Sequence, residues 1–273
     1  MNITAHTRGK ACTIMIRIKV SSPKRIYIVA KDSSNKNTSY TNRFCDITDE
    51  QTLFIRMPLT PQKTDIIIKS EYELGEANMK DKGYQVVDIQ KLPLKRKLTA
   101  FNSANPTIRK FVKFAEEFCS KAGYISAQGS IYTSDDGQFR IDYLDDIVDE
   151  NGRNMKTPAR INRNDAIIEV SKKKFQTYTI PMRMAILLHE FSHYYLNTDM
   201  ANETEADLNG LLIYLGLGYP RVDAYNVFTQ VFATSPTELN KDRMKILDDF
   251  IRNFENKYID MQYDANYLYK NYI

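Results

Sequence analysis

From Cys12 to Val20 the side chains alternate: Ile14, Ile16, Ile18 and Val20 fall on one side, Thr13, Met15, Arg17 and Lys19 on the other. A period of two is that of a strand with one buried face. Residues 25–31, 52–57, 64–69 and 84–89 are further short β-rich runs. Polar or proline-containing turns part them: Ser21-Ser22-Pro23, residues 32–37 and Leu59-Thr60-Pro61. This spacing predicts an antiparallel, sandwich-like accessory domain over residues 1–98. Such a module reads as an interaction or packing domain without chemistry of its own. Residues 91–104, with Lys91, Lys95, Arg96 and Lys97, read as a solvated connection.

The period then changes to that of helices. Asn105-Pro106 supplies an N-cap and a proline for the first turn, and Ile108, Phe111, Val112, Ala115, Phe118, Cys119 and Ala122 form one stripe, closed by Gly123. Short strands follow at residues 130–133 and 138–144, joined through Asp135-Asp136-Gly137, a hairpin signal. Residues 166–170, extended by residues 172–175, read as one more strand. Helices then fill the rest: one opened by Pro181 and running to about Asn197, one ending near Gly216 or Gly218, and one over residues 220–233. A last helix opens at Ser235-Pro236-Thr237-Glu238, with Met244, Leu247, Phe250, Ile251 and Phe254 as its apolar stripe. The class is α+β: a β-rich part, then a mixed α/β domain over residues 99–273 with a helical C-terminal half.

Composition narrows the function. The 273 residues are more than one small core takes and suit two domains. A net charge of +4, spread along the chain, gives no footing for nucleic acid. No stretch approaches the roughly 20 apolar residues of a membrane span, and the polar start does not resemble a signal peptide. Cys12, Cys45 and Cys119 are few and far apart, so they read as free thiols of a reducing, cytoplasmic compartment. The acidic group Asp145, Asp146, Asp149 and Glu150 lacks the EF-hand spacing and reads as a solvated loop. A tail holding Tyr258, Tyr263, Tyr267, Tyr269 and Tyr272 suits packing on the body or on an assembly partner, as does the β domain.

The chemistry gathers in two neighbouring stretches, His189-Glu190-Phe191-Ser192-His193 and Glu203-Thr204-Glu205-Ala206-Asp207. Residues four apart on a helix share a face, so His189 and His193 can aim two imidazoles at one ion. Glu190 sits beside that face, where a carboxylate reaches a water. Zn2+ suits the set, because it accepts His and carboxylate ligands and a catalytic site keeps a position open. Glu203 supplies the third ligand. Asp207, one turn on, can accept the other N–H of a ligating histidine. Glu205, about 200° round the helix from Glu203, is expected to face away.

Here the chain resembles the gluzincin metallopeptidases, whose pattern is HExxH followed by ExxAD or ExEAD. It looks most like the CAAX-prenyl-protease and heat-shock membrane protease type and the minimal single-domain gluzincins. The resemblance covers about residues 160–250 and implies a zincin-like fold, with Glu203 as zinc ligand and Asp207 orienting a histidine. The family also carries His-Pro and a later Arg. Ser235-Pro236 with Arg243 is similar, with Ser for His and a longer spacing, so Arg243 enters as a candidate substrate or oxyanion contact. A looser resemblance is to the ImmA/IrrE-type regulators. The Asn-, Lys-, Ile- and Tyr-rich style is similar to that of proteins of crAss-like phages, which would place the chain in a virion. Two functions follow. One is a zinc endopeptidase acting on a peptide or protein substrate, with Glu190 as general base and the strand at residues 166–170 as the edge that pairs with substrate. The other is a structural or assembly protein in which zinc only stabilises a zincin scaffold.

Overall fold

The computed structural model describes residues 1–35, 37–71, 83–94, 105–122, 130–232 and 237–256, and it belongs to the α+β class. By its contacts the chain divides into two compact units, Met1–Lys95 and Arg96–Ile273.

The first unit holds β1 (Asn2–Ala5), β2 (Cys12–Val20), β3 (Lys24–Asp32), β4 (Ser39–Ile47), β5 (Glu50–Met57), β6 (Thr64–Ser70) and β7 (Tyr84–Pro93). They form two antiparallel sheets, ordered β1-β6-β3-β4 and β5-β2-β7. Alternation decides which face is covered: Ile14, Ile16, Ile18 and Val20 are buried, as are Ile26, Ile28, Ile66 and Ile68. Two strands escape the sequence pattern. β1 is short and polar, and β4 carries Asn42, Arg43 and Asp46, so neither shows a clean apolar period. The strand expected to end near residue 89 continues to Pro93, with Lys91 opposite Ile14, so the connection is shorter than its basic residues suggest. Residues 95–104 lie outside the described ones.

The second unit opens with α1 (Pro106–Lys121), whose Asn105 side chain accepts from the N–H groups of Thr107 and Ile108. Its apolar stripe is buried throughout, Cys119 included, and burial pushes that thiol up well above its ordinary pKa. The expected cap at Gly123 falls outside the described residues. Next come β8 (Ser130–Thr133), β9 (Arg140–Leu144), β10 (Ala159–Ile161) and β11 (Ile167–Ser171). The sheet order is β10-β11-β9-β8, with β9 and β11 parallel and the other pairs antiparallel. Residues 172–175 do not extend β11 as expected. They form a single helical turn, α2 (Lys172–Phe175), because Phe175, the one apolar side chain there, is buried and Lys174 reaches Asp146 at 2.9 Å.

Then follow α3 (Ile180–Tyr195), α4 (Glu203–Gly216), α5 (Arg221–Val227), a π-helical turn (Phe228–Phe232) and α6 (Glu238–Asn256). α3 packs on α1, α4, α5 and β10, and every residue from Ile180 to His193 is buried. A helix covered all round has no solvated face, so its polar side chains need internal partners. Arg183 finds them: its guanidinium donates to the carbonyls of Phe175, Gln176 and Cys119 at 2.9–3.1 Å, at the ends of α2 and α1. Gly218, at φ 87°, ends the second of the site helices in the left-handed conformation its lack of Cβ permits. The last helix is capped by the Thr237 hydroxyl, which accepts from Asn240 at 3.2 Å. Ala233, Ser235, Pro236 and the tyrosine-rich tail lie outside the described residues. Among those described, no helix is long and apolar enough to cross a membrane.

Ala166, expected within a strand, sits instead in the turn before β11 at φ 59°. That conformation costs an L-residue roughly 1–2 kcal/mol, and glycine's extra chain entropy returns about 0.4–1 of it. Ala166→Gly should therefore raise stability by about 0.5–1 kcal/mol, read as a higher urea midpoint at an unchanged slope.

Candidate metal centre

Phe191, the middle residue of the first motif, stacks on Phe111 at 4.2 Å and on Tyr195 at 4.8 Å. With that face of α3 held in the core, His189 and His193 turn to the opposite side. Their Nε2 atoms stand 3.1 Å apart. Glu203, at the first turn of α4, brings Oε2 to 3.4 Å from His189 Nε2 and Oε1 to 3.5 Å from His193 Nε2. Ligand atoms at about 2.0–2.2 Å round a tetrahedral ion lie roughly 3.3–3.5 Å apart, so the three fit one zinc-sized centre.

The far side of each imidazole fixes its tautomer. His189 Nδ1 lies 2.9 Å from Asp207 Oδ1, and His193 Nδ1 lies 2.9 Å from the Met200 carbonyl. Each Nδ1 faces an acceptor, which turns both Nε2 atoms toward one point. A cation placed there would meet both rings and the Glu203 carboxylate together. Burial works against a charged His189, yet Asp207 and Glu203 lift it to about 10, so positive charge is favoured at this point. Burial likewise raises Glu203, but the two histidines outweigh it and hold its carboxyl below the usual range.

Arg243 does not line the cleft. It occupies a stripe position of α6 shared with Leu247 and Phe250, is buried, and donates from Nε and Nη2 to Asp207 Oδ2 at 2.9 and 2.6 Å. Its Nη2 also lies 3.5 Å from Glu203 Oε2. It holds the residues that hold the site. Glu205 faces away from the ligands as expected, but into the interior: its carboxylate accepts from Thr198 and Asp199 and braces the loop that presents Met200. None of Tyr194, Tyr195 and Tyr214 enters the cleft. Tyr214 donates to the Pro220 carbonyl and Tyr195 to that of Gln138.

Glu190 is not among the converging atoms. It is buried, and its Oε2 accepts the Ile161 N–H at 2.8 Å. Burial raises its carboxyl pKa against the pull of both histidines. It opens on the same cleft of about 270 Å³, walled by Thr157, Ala159, Arg160, Ile161 and Val231. The edge beside the cleft is β10; the strand expected there, β11, lies inside the sheet. Asn162 N–H bonds Ile167 O and Ser171 N–H bonds Pro158 O, so even-numbered residues face β11. By alternation the backbone groups of Ala159 and Ile161 face outward.

Three residues here had no signal of their own in the sequence: Met200 and Ile161 act through backbone atoms, and Gly210 acts by lacking a side chain. A Cβ on Gly210 would stand 3.0 Å from His189 N and 3.1 Å from Leu188 C, both backbone atoms that cannot step aside. Gly210 thereby lets α4 lie against α3 at the level of the first histidine. In an open helix Gly→Ala gains about 1 kcal/mol. Gly210→Ala should instead lose about 1–2 kcal/mol, read as a lower urea midpoint.

Comparison of the chain with family models, with curated proteins and with solved structures returned no match.

Proposed function

We propose that the chain is a zinc-dependent peptidase of the gluzincin type, with Glu190 as general base. The observation that carries this reading is the division of labour among the buried polar groups. His189, His193 and Glu203 converge on one point, while the carboxylate of Glu190 shares the cleft but stays off that point. A scaffold zinc needs ligands and no neighbouring base.

Bound zinc supplies a Lewis acid and makes a water acidic enough to attack near neutral pH. The chain's own residues do the rest. The outward N–H of Ala159 and the outward C=O groups of Ala159 and Ile161 offer an extended peptide a strand to pair with. Ile161 N–H holds one oxygen of Glu190, which leaves the other to take the water's proton and hand it to the departing amide nitrogen. Asp207 and Met200 keep both imidazoles turned toward the ion.

The test is metal content joined to cleavage. Purified protein should hold about one zinc per chain, cut members of a broad peptide library, stop after chelation and resume when zinc is restored. Zinc that raises the melting temperature with no cleavage of any peptide would favour the scaffold.

A further inference from the structure

Beside the three ligands and the base, the cleft wall carries two guanidinium groups, Arg160 and Arg163. Among the described residues the only carboxylates in that wall are Glu190 and Glu203, and both are committed: one to Ile161 N–H, the other to the histidines. Arg160 is partly spent, since its Nε meets Glu169 at 2.5 Å and its Nη1 meets Met155 Sδ at 3.0 Å. Arg163 is different. It is exposed, and among the described residues it has neither an ion pair nor a side-chain hydrogen bond. Arg140, Arg183 and Arg243 of the same unit are engaged, by Asp142, by three carbonyls and by Asp207; exposed Arg109 and Arg153 resemble Arg163 in having no such bond, but neither lines the cleft.

Position adds to charge. Arg163 lies two residues beyond Ile161, in the turn that leaves β10. The turn is held by Asn162 N–H on Ile167 O at 2.8 Å and by Asn164 N–H on the Asn162 side chain at 3.0 Å. Two residues of extended chain span about 7 Å, so a peptide lying along Ala159 and Ile161 reaches Arg163 within one or two of its own residues. A planar guanidinium with its donors unused is matched by a carboxylate, which it can grip with two parallel hydrogen bonds.

Resting on the peptidase reading, we propose that Arg163 is a specificity-determining residue. It selects peptides that place a carboxylate, from an acidic side chain or from a free C-terminus, close to the bond to be cut.

Binding can be read without turnover in zinc-loaded Glu190→Gln protein, by fluorescence anisotropy. The probes are labelled eight-residue peptides with one Glu walked through every position, their Gln counterparts, and each in free-acid and C-terminally amidated form. At least one Glu or free-acid peptide should bind about tenfold or more tightly than its neutral partner, the usual worth of a charged hydrogen-bonded pair. Arg163→Gln should abolish that preference, while Lys173→Gln, an exposed change of the same charge, should leave it within about twofold. The Glu and free-acid arms separate the two sources of the carboxylate. Equal binding of charged and neutral peptides, or a preference that survives Arg163→Gln, would overturn the proposal even if the wild type cleaves peptides. A carboxylate preference lost in Arg163→Gln, with no cleavage by the wild type, would keep the subsite and remove the peptidase.

Discussion

Replacing Glu190 by Gln is expected to slow cleavage by about two to four orders of magnitude, the contribution of a positioned general base. Zinc content should stay at the wild-type level, because Glu190 is not among the converging ligand atoms. The fold should hold as well. The Gln carbonyl can still accept the Ile161 N–H, and the change removes a buried charge whose own environment disfavours it. Glu190→Asp keeps the charge but withdraws it by one methylene and gives up the Ile161 contact, so it should also be slow. A Glu190→Gln protein that cuts at the wild-type rate would reject the mechanism.

The second large effect concerns the metal and what stands behind it. His193→Ala removes one of three ligand atoms and should leave the protein almost without zinc. Asp207→Ala leaves all three in place and should weaken zinc about 10- to 100-fold, since nothing then fixes the ring of His189. It should also cost about 3–5 kcal/mol, because Arg243 remains buried without its carboxylate. The double variant Asp207→Ala/Arg243→Met separates these effects. Stability, followed by urea unfolding of metal-free protein, should largely return, while zinc affinity should not. Recovery of both would mean that Asp207 only neutralises Arg243 and does not orient His189.

The parts legible in the sequence were those with a period or a fixed spacing. The alternation of β2 and the Asn105-capped stripe of α1 recur in the structure with nearly the expected bounds. His189, His193 and Glu203 are drawn together because four residues make one helical turn and the intervening loop is short. What stayed hidden depends on neighbours far along the chain. β4 is a strand because β3 pairs with it, not because its own pattern demands one. The edge role fell to β10, three residues long and too short to carry a period. Arg243 sits among Lys241, Asp242 and Lys245 in a highly charged helix, and only the buried Asp207 across from it distinguishes it from them. Met200 and Ile161 contribute backbone atoms, which every residue type possesses.

The π-helical turn at Phe228–Phe232 has a consequence for how the cleft can change over generations. A π turn is an α-helix carrying one surplus residue. Ala224 and Val227, before the turn, are buried in the core, while Val231 within it reaches the cleft wall. Loss of a single codon at Thr229 or Gln230 would restore the α-helical winding and swing Val231 by about 100°. Val231 would leave the wall, with the buried anchor of the helix untouched. One deletion can thus reshape that side of the cleft without disturbing the core beneath it, and the surplus residue keeps that route open to a lineage.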